Sequence, residues 1–556
     1  MQYETRRRFR VIIPAFPNFN IYSSIARTTT ALGPVSVATV ASEIPGWDVE
    51  VIDENNCRDK FCPRDKNGRP DHQRLQADRP ADVVGFYASL SSTVPRVFEL
   101  ARFYQQAGAV TLAGGKHVDY LPEEALANGI DTVCHGEGEE TTVELLQGIS
   151  DRDARRNIAG ISFREGDEIH RTPDRDLRTI FDHLPFPDFS LVRYANIKIY
   201  PVSRTRGCNM NCEFCSVKGK PRCATPNRTV NEIIHLIETR EARKFFEASD
   251  HFTADREGTL CFCRLLGDYL EQTGVRIQMT VQVRINDARD KELLQAMKRA
   301  GINGLAIGFE SPIDEELIAM KKGYLSKQML KWTKTLKRYG FFIHGMFIFG
   351  YPHREEHRKQ HPEADLSVEE RTHHFKHFIR KSRIDTAQVL LAIPLPGTEL
   401  RTRLAAEGRL YDLGWEYYDG QFPLYEPAGE VAPEQLQNAS GQIMGKFYSF
   451  GNLWRVIINI MFYFPLMVFP AVTTLLSLRV RPLAAAFRNW YKFFFRTRAI
   501  RLGGHFIVRN WVRNFRRSDF LDRLAAAKKK LQEKSTKNTH RTPPTGVDGT
   551  HLASGS

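Results

Sequence analysis

Between residues 8 and 410, short runs of Val, Ile and Phe closed by Gly, Pro or Asp alternate with helical patterns. A strand covered on both faces reads as an unbroken apolar run, and parallel neighbours need a helix to cross between them. This alternation restricts the chain to α/β architectures built on parallel sheets. At 556 residues the chain exceeds what one core can hold, and the alternation falls into two blocks.

The first block, residues 1–150, holds the expected strands "FRVIIPAF", "DVEVID", "ADVVGFYAS", "AVTLAGG" and "DTVCHGEGE", with "PVSVATVASEI", "VPRVFELARFYQQAG" and "LPEEALANG" as helices between them. Their order predicts a doubly wound, Rossmann-like sheet that receives ligands beyond the carboxyl ends of its strands. "CRDKFCPRDKNGRPDHQRLQADRP" reads as a polar loop, and 151–194 as a linker. The second block, 195–430, repeats strand and helix six times, from "IYPVSRTRG" to "AQVLLAIPLPG". Six units predict a partial (β/α)6 barrel, open at one side, with its chemistry at the carboxyl ends of the strands. Residues 431–527 read as mainly α-helical, and 528–556 as a disordered, Lys-rich tail.

Directly after the first strand of the second block stands "RTRGCNMNCEFCSV", which puts Cys208, Cys212 and Cys215 at spacings of four and three. A structural zinc site wants four closed ligands, usually as two close pairs. Here one compact set supplies three, and Cys223 is the nearby candidate for a fourth. Three thiolates on one loop suit a 4Fe-4S cube with one iron left open to a substrate or cofactor. The other cysteines read differently. Cys261 and Cys263 fall in a helical pattern and are expected in the core, Cys134 ends a strand, and Cys57 with Cys62 in the polar loop form a candidate auxiliary metal pair. "MQYETRRRFRVIIPAF" has no secretory pattern, so a reducing, cytosolic compartment is expected.

Cys208, Cys212 and Cys215 match the CxxxCxxC signature of the radical S-adenosylmethionine (radical SAM) enzymes, and Phe214 fits the aromatic that precedes the last cysteine. The chain resembles members of that family with an N-terminal cobalamin-binding domain, through "GPVSVATVASEIPGWDVEVIDENN", "LAGGKHVDYLPEEAL", "DTVCHGEGEETTVELL", "LPFPDFSLV", "EASDHFTAD", "MKRAGINGLAIGFES", "MKKG", "MFIFGYP" and "IPLPGTEL" in the expected order. The resemblance spans about residues 8 to 430. It implies that the open iron holds S-adenosylmethionine, that an electron from a flavodoxin- or ferredoxin-type donor splits it, and that the resulting radical abstracts hydrogen in a dry, enclosed site.

By the same resemblance, Phe214, Asp250, Arg284, Gly308 and Glu310 are the S-adenosylmethionine-binding candidates. Arg284 is placed to pair with the carboxylate, and Gly308 and Glu310 belong to the fourth-strand motif near adenine and ribose. The loop Gly114, Gly115, Lys116 and His117 is the candidate for cobalamin, because glycines let backbone approach a flat ligand closely. The DxHxxG string that supplies a lower axial ligand in some members is absent. No catalytic residue is assigned.

The formal charge of +14 is local: residues 479–556 carry 18 Lys and Arg against 4 Asp and Glu, which is the whole excess. A basic tail on a neutral body reads as an attachment device, and no nucleic-acid partner is expected. Before it, Val456–Leu478 is 23 residues without a charge, long enough to span a bilayer but interrupted by Pro465 and Pro470. A single span would put the basic segment opposite the cluster domain, against the positive-inside rule. A kinked, partly inserted hairpin on the cytoplasmic side of a membrane is expected instead, with Trp490, Tyr491 and Trp511 at the interface. These parts together predict a radical SAM enzyme that functionalises an unactivated carbon of an apolar, membrane-derived substrate such as an isoprenoid, a lipid or a tetrapyrrole. Cobalamin-dependent C-methylation ranks first, radical cyclisation or C–C or C–O bond formation second, and tRNA modification third.

Overall fold

The computed structural model describes residues 6–17, 20–149, 151, 153–178, 181–354, 366–427, 431–449, 503–515 and 518–539. Strands β1 (Arg7–Ile13), β2 (Trp47–Asp53), β3 (Val83–Tyr87), β4 (Val110–Gly114) and β5 (Thr132–Cys134) form where the apolar runs predict them. They pair in parallel in the order β5-β4-β3-β1-β2. The order reverses between β3 and β1, which opens a crevice at the carboxyl edge of the sheet.

The segment expected as a linker completes this sheet instead. β6 (Ile161–Glu165) and β7 (Glu168–Arg171) add antiparallel beside β5, and β8 (Val192–Arg193) adds beside β2, giving eight strands. β6 is buried over Ile161, Ser162 and Phe163 and turns outward only at Arg164 and Glu165, while β7, the edge strand, has no buried residue. The polar loop differs as well: Cys57 and Cys62 are bonded to each other, which leaves neither sulfur as a metal ligand.

The second sheet holds β9 (Tyr200–Val202), β12 (Lys244–Glu247), β13 (Gln278–Val283), β14 (Ile302–Glu310), β15 (Phe342–Phe349) and β16 (Thr386–Leu391), parallel and in sequence order. This is the expected partial barrel. A two-stranded ribbon, β10 (Thr205–Arg206) with β11 (Arg222–Cys223), interrupts the passage from β9 to the next helix. The free edge of β16 is covered by the helix Pro433–Phe447 and the residue after it. Tyr448 Oη bonds both Ala387 N (3.0 Å) and Ala387 O (2.9 Å), and Ser440 Oγ donates to Val389 O at 2.6 Å.

Helical residues 503–515 place Val508, Trp511 and Phe515 on one buried stripe, with Arg509 and Arg513 exposed opposite. Trp511 is therefore corrected from an interfacial residue to a core residue: it is fully buried, and its carbonyl accepts from Gln421 Nε2. The tail expected as disordered from 528 is helical as far as Thr539, within the helix Phe520–Thr539, because Phe520, Leu524 and Ala527 pack against Tyr417 and Phe422. Among the described residues no helix is long and apolar enough to cross a membrane. Val456–Leu478, Trp490 and Tyr491 lie outside the described residues.

Candidate active site

The cysteine loop spans residues 207–221 between the two strands of the ribbon, which fixes both of its ends at the carboxyl edge of β9. Gly207 begins it at φ +88°, and its N–H donates to the Asp250 carboxylate, just past β12, at 2.7 Å. Asp250 keeps an accessible face, and the protein around it pushes its carboxyl up. The loop then turns tightly. Cys215 N donates to Cys212 O at 3.2 Å, Val217 N donates to Cys215 Sγ at 3.4 Å, and Lys218 Nζ donates to Cys212 O at 2.6 Å.

The three cysteines remain free, and burial, with the neighbouring Cys212 and Cys208, raises the Cys215 thiol. Cys223 is held on β11, 3.4 Å from Thr205 Oγ1, and does not extend the loop's set. Among the described residues no three His, Cys, Asp or Glu side chains stand close enough to hold one metal ion. Three free thiols on one loop are the donor set that a 4Fe-4S cube takes, one cysteine to each of three irons.

Glu213, between two of the cysteines, locks this loop to the barrel. It is fully buried and accepts from Tyr351 Oη at 2.6 Å, from Arg403 Nε at 2.8 Å and from Arg354 Nη2 at 3.0 Å. Phe214 then lies edge-on to Tyr351, with its ring beneath Lys322.

Opposite the loop, the carboxyl end of β14 carries Gly308 and Glu310. Glu310 adopts φ +61°, a left-handed conformation unfavourable for a side chain other than Gly or Asn. Its carboxylate folds back so far that a Cβ on Gly308 would lie 2.3 Å from it, which explains the glycine. Lys322 Nζ pairs with it at 3.0 Å, and Tyr324 Oη donates to the Gly308 carbonyl at 2.9 Å. Burial works against charge on Lys322, yet Glu310 and the nearby Cys212 keep its pKa raised. Arg284, at the end of β13, reaches the loop from the third side: Nη1 lies 2.9 Å from Met210 Sδ, and Nη2 donates to the Lys322 carbonyl. His251 completes the rim. Burial, with Arg284 and Lys322 near, depresses it to about 4, so it is neutral.

Every S-adenosylmethionine candidate, Phe214, Asp250, Arg284, Gly308 and Glu310, thus stands around the cysteine loop. The sequence reading missed Glu213, His251, Lys322 and Tyr324. Lys322 and His251 lie inside the strings "MKKG" and "EASDHFTAD", and a charged or titratable group within a motif was the available signal.

A cavity of about 440 Å³ lies in the crevice between β1 and β3 and extends to the barrel. The N-terminal domain lines it with apolar residues and with glycines, among them Gly33, Gly85, Gly114, Gly115 and Gly136. Gly115, at φ +126°, passes so close to Ala88 and Ser89 that a Cβ would meet backbone at 2.7–2.9 Å. The barrel side contributes Ser203, Arg206, Arg228 and Ala248. A wide, glycine-walled slot suits a large flat ligand such as cobalamin, and no histidine lines it among the described residues.

Three of the four candidates fall in place there. Gly114, Gly115 and Lys116 line the cavity, but His117 does not. It is buried, bonded through Nδ1 to Ser91 Oγ at 2.9 Å and through Nε2 to Glu124 at 3.3 Å, and edge-on to Trp415. Its place is thus a junction between the N-terminal domain and the segment after the barrel. Cys134 is buried at the cavity, Cys263 is buried in the core, and Cys261 is only half-buried.

Cavity and cysteine loop are tied together by charge. Arg206 on β10 pairs with Glu137 (3.0 Å) and Glu139 (2.7 Å) of the N-terminal domain, and Arg222 on β11 also pairs with Glu137. The loop's own ribbon therefore forms part of the cavity wall.

Comparison with known proteins agrees with this arrangement. Residues 202–362 match the radical SAM superfamily, and residues 21–146 match the B12 binding domain. The chain is 28% identical over 350 residues to an uncharacterized methyltransferase of Pyrococcus horikoshii, covering 61% of this chain and 72% of that one. It is 23% identical over 427 residues to the hopanoid C-2 methylase of Rhodopseudomonas palustris, covering 74% and 73%. Its fold resembles that of the radical S-adenosylmethionine methyltransferase TsrM from Kitasatospora setae with cobalamin and 4Fe-4S cluster bound (TM-score 0.59, 16% identity, 79% of this chain and 88% of that one). It also resembles the cobalamin-dependent radical enzyme OxsB with aqua-cobalamin and S-adenosylmethionine bound (TM-score 0.58, 13% identity, 96% and 76%).

The chain is a radical SAM enzyme. Within that class it belongs to the members that carry a B12-binding domain, with a 4Fe-4S cluster, S-adenosylmethionine and cobalamin as cofactors.

Proposed function

We propose that this enzyme methylates an unactivated carbon of an apolar substrate. The observation that carries the reading is the shared wall: Arg206, one residue before the cysteine loop, also lines the glycine-rich cavity. When bound, the cluster supplies the electron that splits S-adenosylmethionine, and cobalamin supplies the methyl group. The chain's own residues hold and orient. Cys208, Cys212 and Cys215 would bind three irons; Arg284 would pair with the carboxylate of S-adenosylmethionine, with Gly308 and the Lys322-paired Glu310 near its adenine and ribose; and Gly114, Gly115 and Lys116 would lie along the corrin.

Relatives support the substrate class. The chain is similar to a hopanoid C-2 methylase and to a bacteriochlorophyllide d C-8(2)-methyltransferase of Chlorobaculum tepidum, whose named substrates are largely apolar. Radical cyclisation is the second reading, favoured by the likeness to an anaerobic magnesium-protoporphyrin IX monomethyl ester cyclase of Cereibacter sphaeroides, 26% identical over 259 residues. The uncharged run Val456–Leu478 and the basic segment after it support a place on the cytoplasmic side of a membrane. There a flavodoxin- or ferredoxin-type protein would deliver electrons.

Anaerobic reconstitution with iron, sulfide and hydroxocobalamin, followed by incubation with reductant, S-adenosylmethionine and an apolar extract of the host cells, tests the reading. Methylation consumes two S-adenosylmethionine molecules and releases 5'-deoxyadenosine, methionine and S-adenosylhomocysteine together. Deoxyadenosine without S-adenosylhomocysteine would favour cyclisation or coupling, and neither product would remove the enzymatic reading.

A further inference from the structure

Residues 204–222, the ribbon and cysteine loop together, contain five Lys and Arg but a single acid, Glu213. That acid is fully buried and faces the barrel, held by Tyr351, Arg354 and Arg403. Three of the five cations are also engaged within the protein: Arg204 pairs with Asp255, Arg206 with Glu137 and Glu139, and Arg222 with Glu137. Lys218 and Lys220 remain, and both are exposed.

Lys218 Nζ bonds only neutral oxygens, Asn211 Oδ1 at 3.0 Å and Cys212 O at 2.6 Å, so its charge is not cancelled. Among the described residues neither lysine has an ion-pair partner. Between them Gly219 turns the chain at φ +97°, and a Cβ built there would meet nothing within 4 Å. The tip therefore stands in open space, with Asn209 and Asn211 exposed on the same loop. At its foot, Arg222 Nη1 donates to the carbonyl of Arg178 at 2.9 Å, and the residue before, Leu177, is an apolar side chain 53% exposed.

The other approaches to the cysteines are taken. Arg284, Glu310 and Lys322 stand on the barrel side, and Arg206 stands in the wall of the glycine-rich cavity. The outer side of the loop is left. There Lys218 rests on the carbonyl of Cys212 itself, so a body held at the tip lies one residue from a cluster ligand. Electron tunnelling falls off steeply with each added layer of protein, and this is the thinnest crossing.

We propose that the loop tip bearing Lys218 and Lys220 is the docking surface for a small acidic electron-carrier protein, which passes its electron across the cysteine loop. The inference rests on the radical enzyme reading given above and assigns a place to its electron donor. In each exchange the carrier is oxidised by one electron and the enzyme reduced by one, with no bond made or broken. Uncompensated cations beside an exposed apolar residue suit an acidic protein, since charge steers the encounter and apolar contact holds it. Two lysines are too few for the extended arrays that lipid headgroups or a nucleic-acid backbone engage.

Formation of 5'-deoxyadenosine by the reconstituted full-length enzyme tests the surface, driven by reduced flavodoxin or ferredoxin in one arm and by titanium(III) citrate in the other. Lys220→Glu should raise the carrier concentration for half-maximal rate roughly tenfold at low salt, and leave the titanium-driven rate and the cluster absorbance unchanged. Added salt should slow the carrier-driven rate of the unsubstituted enzyme and narrow its advantage over the variant. Lys334→Glu, at an exposed position on the helix Ser326–Arg338, should change neither arm. A carrier arm indifferent to Lys220→Glu would overturn the proposal. So would an equal loss in both arms, which would make Lys220 a support of the cluster loop. Loss of sedimentation with anionic vesicles while the carrier arm stays intact would make the tip a membrane contact and overturn it too. Turnover with titanium but with neither carrier would remove the docking surface and leave the radical enzyme standing, and deoxyadenosine in neither arm would remove both.

Discussion

The two halves of the site are built by opposite means. On the N-terminal side the wall is largely apolar, Gly33, Gly85, Gly114, Gly115 and Gly136 leave width, and the charged Lys116, Asp119, Glu137 and Glu139 are a minority of its lining. On the barrel side the rim is richer in charge, and part of that charge is already paired, as in Lys322 with Glu310 or Glu213 with Arg354 and Arg403. A broad, nearly flat ligand gains from surface contact, so its site needs room. A smaller ligand that carries a carboxylate, an ammonium and a sulfonium gains from a few directed bonds, so its site needs groups held rigidly in place.

That contrast can be broken from the charged side first. Cys212→Ala removes one thiolate of three and should lower deoxyadenosine formation to background, with iron content falling in parallel while cobalamin binding persists. Loss of cobalamin binding as well would mean that the two halves do not fold their sites independently. Glu213→Ala leaves Arg403 and Tyr351 without their buried partner, and should cost about 3–5 kcal/mol in urea unfolding, with poorer cluster loading. An unchanged midpoint would show that the loop is not held by this carboxylate.

The rim also has a pH signature. His251 is depressed from its ordinary value to about 4 chiefly by burial, so between pH 6.5 and about 4 the unfolded chain takes up a proton that the folded one refuses. Stability from this group is present above pH 6.5 and lost as pH falls toward 4, by up to about 3 kcal/mol. Unfolding midpoints across that range, compared with those of His251→Phe, should show a shallower slope in the variant.

The glycine side predicts the smallest energetic effect. Gly115→Ala meets the backbone of Ala88 and Ser89 at a φ of +126°, and should cost about 1–3 kcal/mol in thermal unfolding and weaken hydroxocobalamin binding. S-adenosylmethionine binding should remain, and a loss of both ligands would erase the distinction between the halves.

The same contrast explains what was legible in the sequence. All eleven strands of the two parallel sheets could be read, because each carries apolar residues rich in Val, Ile, Leu or Phe and a helical pattern stands between one and the next, even where polar residues alternate along the strand as in β13. β6 and β7 escaped because β6 has only a three-residue buried stretch with a serine at its centre and β7 is a short polar edge strand, and β8 because two residues are too few to carry a pattern. The cysteine spacing is local, so it could be read directly. Glu213 could not, because its partner Arg403 lies 190 residues further on. Nor could the separation of His117 from Lys116: adjacent in sequence, they diverge because Ser91, Glu124 and Trp415 capture the imidazole.

The central claim is that the cluster and corrin sites are neighbours, with Arg206, one residue before the cysteine loop, in the cavity wall between them. Electron paramagnetic resonance of the anaerobic enzyme, with its cluster reduced and its cobalamin in the paramagnetic Co(II) state, measures this directly. The account predicts dipolar coupling between the two centres and a change in the cluster signal when S-adenosylmethionine is added. Two independent signals, or a cluster indifferent to S-adenosylmethionine, would contradict it.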